Sequence, residues 1–141
     1  MPFQIFSADW AAEWCRQLNQ SAAYRAAAAG WEGSIALMMT PKGSAGERRA
    51  VFADLWHGEC RAARPATEQD LASARYILTA NDAHWRDVLA GKTAPLLAVM
   101  TGKIKLTRGS LGALAPFAGA AKELLATAQA VGGTFTPEAG D

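Results

Sequence analysis

The spacing of the apolar residues changes at Trp31, and that change sets the architecture. From Ser7 to Gly30, Trp10, Trp14 and Leu18 recur every four residues, with Ala22 and Ala26 continuing the stripe. This is the period of a helix with one buried face. Ser7 suits its cap, Asp9 its positive end and Gly30 its stop. Beyond it the period drops to two: Trp31, Ile35, Leu37 and Met39 share one face of a strand, and Glu32 and Ser34 the other. A helix and a sheet, each with one apolar side, must cover one another, which makes this an α+β chain.

The rest of the sequence extends that pattern. "PKGSAGERR" reads as an exposed hairpin loop, and "AVFADLWHGECRAARPAT" as two strands joined tightly at His57-Gly58-Glu59. Phe52 and Trp56 share a face with Asp54 between them. "ARYILTA" is a fourth strand, Tyr76 and Leu78 opposing Ile77 and Thr79. Asn81 or Asp82 then caps a short helix through "AHWRDVLA", ended by Gly91. Thr93 caps another, with Pro95 in its first turn and Leu96, Leu97, Val99 and Met100 as its apolar side. Gly102 ends it, and "KIKLTRG" is a fifth strand with Ile104 and Leu106 opposing Lys103 and Lys105. A last alanine-rich helix starts or kinks at Pro116; Leu114, Ala118, Ala121, Leu125 and Ala128 form its stripe, widened by Phe117, Leu124 and Val131. Residues 1–131 make one domain and 132–141 a flexible tail.

Composition narrows the function classes. Half of the 141 residues are hydrophobic and the net charge is +1, so the chain is too apolar for disorder and carries no basic run for a nucleic acid. Lys42, Arg48 and Arg49 read as solvated loop charge. No stretch is long and apolar enough for a membrane span. The start, "MPFQIFSADW", lacks a secretion signal, and Ala139-Gly140-Asp141 is no peroxisomal address, so the expected location is cytoplasmic. Cys15 and Cys60 then read as free thiols, with a disulfide as the alternative.

The chemical motifs fail one by one. Gly91-Lys92-Thr93 ends like a phosphate-binding loop, but Arg86 stands where the first glycine is required, and "HWRDVLA" has a helical period. Ser44 in "KGSAG" and Ser110 in "RGSLG" approach a nucleophile elbow, yet Lys42 and Arg108 replace its first glycine. His57, Glu59 and Cys60 could be metal ligands, but alternate strand residues face opposite ways and His84 is far along the chain. No metal, cofactor or catalytic group is expected.

What remains is apolar surface beyond the needs of one sheet face, on "WRDVL", "APLLAVM" and "LGALAPFAGAAKELLATA". Either it covers the core well or it leaves a cavity for a lipid. The order Trp85, Gly91-Lys92, Pro95, Leu96 to Met100, Gly102-Lys103-Ile104-Lys105, Gly109, then an apolar helix from Leu111, resembles the sterol carrier protein type-two family. The likeness runs from Ser7 to Val131 and takes in "YRAAAAGW", Gly33 and the turn at His57-Gly58. It implies a five-stranded, mostly antiparallel sheet covered by helices, with an apolar tunnel between the sheet and the C-terminal helices. It also implies non-catalytic binding and transfer of a fatty acid, fatty acyl-CoA or sterol-like molecule. Ala94 departs from the acidic residue often found before the proline, and the missing peroxisomal tail suits a bacterial-type member.

The expected lining is Trp85, Leu89, Leu96, Met100, Leu114, Phe117, Leu124 and Leu125, chosen for matching apolar faces near the likeness. Expected partners are an apolar lipid and, transiently, a membrane, with a homodimer left open. An accessory or oligomerisation module of the same fold and a small serine hydrolase using Ser44 or Ser110 stand as alternatives.

Overall fold

The computed structural model describes residues 4–40, 49–109, 112 and 115–132, with 95, 96, 115 and 118 described by backbone alone. Helix α1 (Ala8–Gln20) begins as expected at Ser7, whose Oγ accepts the Trp10 N–H at 3.2 Å. It does not run on to Gly30. Ser21 takes an extended backbone (φ −86°, ψ 109°), and its hydroxyl caps a separate helix, α2 (Ala22–Ala27), by accepting the Tyr24 N–H. The break turns the stripe: Trp10, Trp14 and Leu18 are buried, Ala22 and Ala26 are exposed, and Tyr24 and Ala28 point inward. Serine competes for backbone hydrogen bonds, and alanines have too little bulk to oppose the break.

Strands β1 (Glu32–Thr40), β2 (Arg49–Trp56), β3 (Glu59–Pro65), β4 (Tyr76–Asn81) and β5 (Lys105–Arg108) form one sheet in the order β3-β2-β1-β4-β5. All neighbours are antiparallel except β1 and β4. The expected five-stranded, mostly antiparallel sheet therefore forms. The loop read from "PKGSAGERR" falls on 41–48, outside the described residues. His57 and Gly58 turn β2 into β3 with φ of 50° and 85°, the positive pair that a two-residue hairpin needs.

The sheet buries both faces, unequally. Trp31, Ile35, Leu37, Val51, Leu55, Tyr76 and Leu78 belong to the main core beneath the helices. On the reverse, Ala36, Phe52, Ala74 and Ile77 pack beneath α3 (Glu68–Ser73), a helix the apolar period does not announce. Thr67 and Asp70 cap it reciprocally, and Arg64 donates to both Asp70 oxygens at 3.1 and 2.7 Å while lying 4.8 Å over the Phe52 ring.

Between β4 and β5 the chain makes two short helices. Asn81 caps α4 (Asp82–Leu89), accepting the His84 N–H at 2.8 Å. For α5 (Pro95–Met100) the expected cap at Thr93 is wrong: Ala94 holds that position, and no side chain caps the helix. Its apolar side is also rotated. Ala98 is fully buried, whereas Leu97 is 52 % exposed and Met100 74 %. The Ala98 carbonyl accepts the N–H groups of Lys103 and Ile104 at 2.9 and 3.0 Å, which folds the following turn over Ala98 and seats Ile104 in the core. Gly91 and Gly102 follow the two helices with φ of 83° and 81°.

A 3-10 turn (Ala115–Phe117) containing Pro116 leads into α6 (Ala118–Val131), as the proline indicated. The backbone of α6 lies against α1, α2, α4 and α5. Indole N–H groups fix it there: Trp14 donates to the Leu124 carbonyl at 3.1 Å and Trp10 to the Gly132 carbonyl at 2.8 Å. The Gln129 amide donates to the Val88 carbonyl at 2.9 Å, tying α6 to α4. The tail expectation falls almost wholly outside the described residues.

Candidate functional site

Sheet and helices part at the start of β1, where a cleft of about 200 Å³ is lined by Gly30, Trp31, Glu32, Arg75, Tyr76 and Phe117. Its wall is aromatic. The Trp31 ring lies 5.2 Å from Tyr76 and meets Phe117 edge-on at 5.3 Å. Two features hold the wall still. The Trp31 indole N–H donates to the Gly33 carbonyl at 2.8 Å. Tyr76 leans over Gly109, where a Cβ would come within 2.4 Å of the ring, so the ring can lie there only because that position has no side chain.

The expected lining residues divide. Trp85, Leu89, Leu124 and Leu125 come together in the main core, at 0, 6, 1 and 3 % exposure. The Trp85 indole N–H donates to the Met38 carbonyl at 2.8 Å, and its ring meets Phe6 edge-on at 5.6 Å. Phe117 is half-buried against that core and also lines the cleft. Met100 stands apart on the exposed side of α5. Leu114 and the side chain of Leu96 lie outside the described residues. Trp31 and Tyr76 read from the sequence as strand residues; Tyr76 opens β4, whereas Trp31 sits just ahead of β1, and nothing in the spacing marks their place at the cleft. Arg75 has no mark either, since a lone arginine ahead of a strand carries no periodic signal.

The other chemical candidates do not assemble. Glu32 Oε2 lies 2.6 Å from His57 Nε2, an exposed pair, and His84 Nδ1 lies 3.1 Å from the Lys103 carbonyl. Among the described residues no three His, Cys, Asp or Glu side chains are grouped to hold a metal. Ser44 and Ser110 lie outside the described residues. Cys15 and Cys60 are both free but adjacent: the half-buried Cys15 thiol donates to the Cys60 carbonyl at 3.2 Å. Contact with Cys15, together with burial, pushes the Cys60 thiol up, so it stays protonated. Asn19 holds the Cys60 backbone at both ends, through N–H at 2.8 Å and carbonyl at 3.0 Å. Beside the thiols, the buried Tyr24 hydroxyl has no hydrogen-bond partner among the described residues, and burial raises its pKa.

Fold and cleft together define a small α+β domain: a five-stranded sheet under a helical layer, with an aromatic-walled cleft at the start of β1. No helix among the described residues is long and apolar enough to cross a membrane. Comparison with known proteins makes the assignment specific. The SCP-2 sterol transfer family matches residues 12–122. A crystal structure of a sterol carrier protein 2 shares 44 % identity over 89 % of this chain and 98 % of its own, with a TM-score of 0.79. A conserved hypothetical protein of Thermus thermophilus shares 43 % over 94 % and 92 %, also at 0.79. The apo sterol carrier protein 2 of Yarrowia lipolytica, 21 % identical over 86 % and 88 % with a TM-score of 0.55, shares the fold. No curated protein matches. The chain belongs to the SCP-2 sterol transfer family, whose members bind and transfer lipids.

Proposed function

We propose that this chain is a cytoplasmic, non-catalytic carrier that holds one lipid, a fatty acid, fatty acyl-CoA or sterol-like molecule, between the sheet and α6. The observation that carries this reading is the aromatic cleft at Trp31, Tyr76 and Phe117, which opens where the sheet and the 3-10 turn before α6 part. At about 200 Å³ it is smaller than the ~300–1,000 Å³ of common ligand sites, so it admits a head and the first part of a chain. The rest of the tail enters by displacing side chains beneath α6. That helix suits the task, because its backbone rests on other helices and its buried Leu124 and Leu125 are the filling.

Energetics fit a carrier. Removing a chain of about fourteen methylenes from water gains on the order of 11 kcal/mol gross. Moving it from a bilayer into an equally apolar interior gains almost nothing from that term. The domain can therefore keep a lipid out of water and still release it at a membrane without a catalytic group. We assign the transient membrane contact to α5, where exposed Leu97 and Met100 are flanked by exposed Lys92 and Lys103. Two apolar side chains with nearby lysines give weak, reversible attachment to an anionic surface.

Transfer of a fluorescent fatty acid between donor and acceptor vesicles tests the proposal. Protein at micromolar concentration should speed transfer well above the spontaneous rate, and Leu97→Ser/Met100→Ser should slow it with little loss of binding in solution. Transfer at the spontaneous rate despite folded protein would refute the carrier. A stable lipid-free homodimer would favour the accessory-module alternative instead.

A further inference from the structure

Among the described residues, Arg75 is the one strongly charged group on the wall of the aromatic cleft that lacks a counter-charge. It immediately precedes β4, and its backbone N–H donates to Ser34 Oγ at 3.2 Å. Its side chain crosses β1 at Gly33. A Cβ on that glycine would sit 2.6 Å from Arg75 Cδ and 3.3 Å from its Cβ, so the missing side chain makes a slot for the arginine stem. Gly33 also has a φ of 138° and gives its carbonyl to the Trp31 indole. One residue thus positions both an aromatic wall and the cation beside it.

The stem of this exposed arginine is held, and its guanidinium is unpaired among the described residues. Arg16, Arg61 and Arg64 each form an ion pair with a neighbouring carboxylate, whereas among the described residues Arg75 forms none. Glu32 lines the same cleft and would be the obvious partner, but its carboxylate is engaged by His57 at 2.6 Å. A guanidinium fork on a residue that lines a cleft beside three aromatic rings matches the paired oxygens of a carboxylate or phosphate.

We infer that Arg75 anchors the oxyanion head of a single-chain amphiphile, the head lying at the cleft mouth and the tail running along the wall that Trp31, Tyr76 and Phe117 form. This rests on the carrier reading and adds to it a ligand chemistry and an orientation: anion outward, tail inward. A free fatty acid and a lysophospholipid both present such a head. An uncharged alcohol of the same chain length does not.

The test is competition against a fluorescent fatty acid by palmitate, 1-palmitoyl lysophosphatidate and hexadecanol, with wild type, Arg75→Gln and Arg75→Lys. Arg75→Gln should weaken at least one of the two anions about tenfold, the size of a charge-assisted contact discounted for exposure. Hexadecanol should change less than about twofold, and Arg75→Lys should recover part of the loss. Whichever anion responds identifies the source, carboxylate or phosphate. An equal loss for hexadecanol would mean that Arg75 acts only through the fold, and unchanged anion affinity would mean that it touches no head group; either overturns the inference. Wild-type protein that binds none of the three would overturn the carrier reading and this inference with it.

Discussion

Phe117→Asp places a carboxylate on the wall of the cleft at a residue the fold can spare. The ring is only half-buried, and its specific contacts are the edge-on pair with Trp31 at 5.3 Å and the close approach to Gly30, where a Cβ would lie 3.7 Å from the ring. Loss of the aromatic pair costs about 0.5–1.5 kcal/mol and the partial burial about 1–1.5 more. Set against the ~5–15 kcal/mol typical of a domain, that leaves the protein folded. Binding suffers more in proportion. A wall that no longer shelters about three methylenes loses roughly 2.4 kcal/mol, close to fiftyfold in affinity. Any carboxylate-headed ligand also meets a like charge. The assay is displacement of a fluorescent fatty acid, read beside the urea midpoint and the near-ultraviolet circular dichroism of the tryptophans. Phe117→Leu, which keeps an apolar wall, should stay within about threefold of wild type. A folded Phe117→Asp protein with wild-type affinity would show that the tail does not pass this wall.

Three further outcomes follow from the fold. Gly109→Ala forces a side chain onto a φ of 95° and within 2.4 Å of Tyr76, so urea denaturation should show a loss of about 2–4 kcal/mol; a loss under ~0.5 would mean that β5 moves freely off Tyr76. The Arg64 fork and the Thr67 N–H hold the Asp70 carboxyl below the usual carboxylate range. Its stabilisation is therefore complete above the unfolded pKa near ~4 and fades as pH falls through the lower native value. Asp70→Asn should cost about 1 kcal/mol at neutral pH, with the two denaturation midpoints converging below about pH 4; a gap that persists in acid would assign the effect to packing. Iodoacetamide should alkylate half-buried Cys15 well before buried Cys60, as peptide mass mapping at timed intervals would show; equal rates would mean that α1 opens readily from β3.

Much of this architecture is written in the spacing of large side chains. Trp10, Trp14 and Leu18 mark α1, and the alternation from Trp31 to Met39 marks the central strand; both have bulk enough for burial to dominate. The misreadings fall where side chains are small or elements short. Ala22 to Ala29 support a helix in either register, so the hydrogen bond from Tyr24 to Ser21 decides where α1 ends. The six residues of α3 show no apolar period, although the Thr67–Asp70 capping box is visible in "TEQD" once the helix is known. In α5 nearly every residue is apolar, and the turn closing over Ala98, not the composition, leaves Leu97 and Met100 outside. The site divides the same way. Phe117 is legible because Pro116 fixes the start of α6, whereas Arg75 gains its meaning from Gly33, a neighbour across the sheet that no linear pattern connects to it.

Native mass spectrometry of the purified protein tests the central claim most directly. Incubated with one equivalent of palmitate, the wild type should appear as a monomer carrying one lipid, and Phe117→Asp should appear mainly bare. A folded wild-type protein that stays lipid-free, alone or as a dimer, would contradict the account of a chain built around an apolar guest.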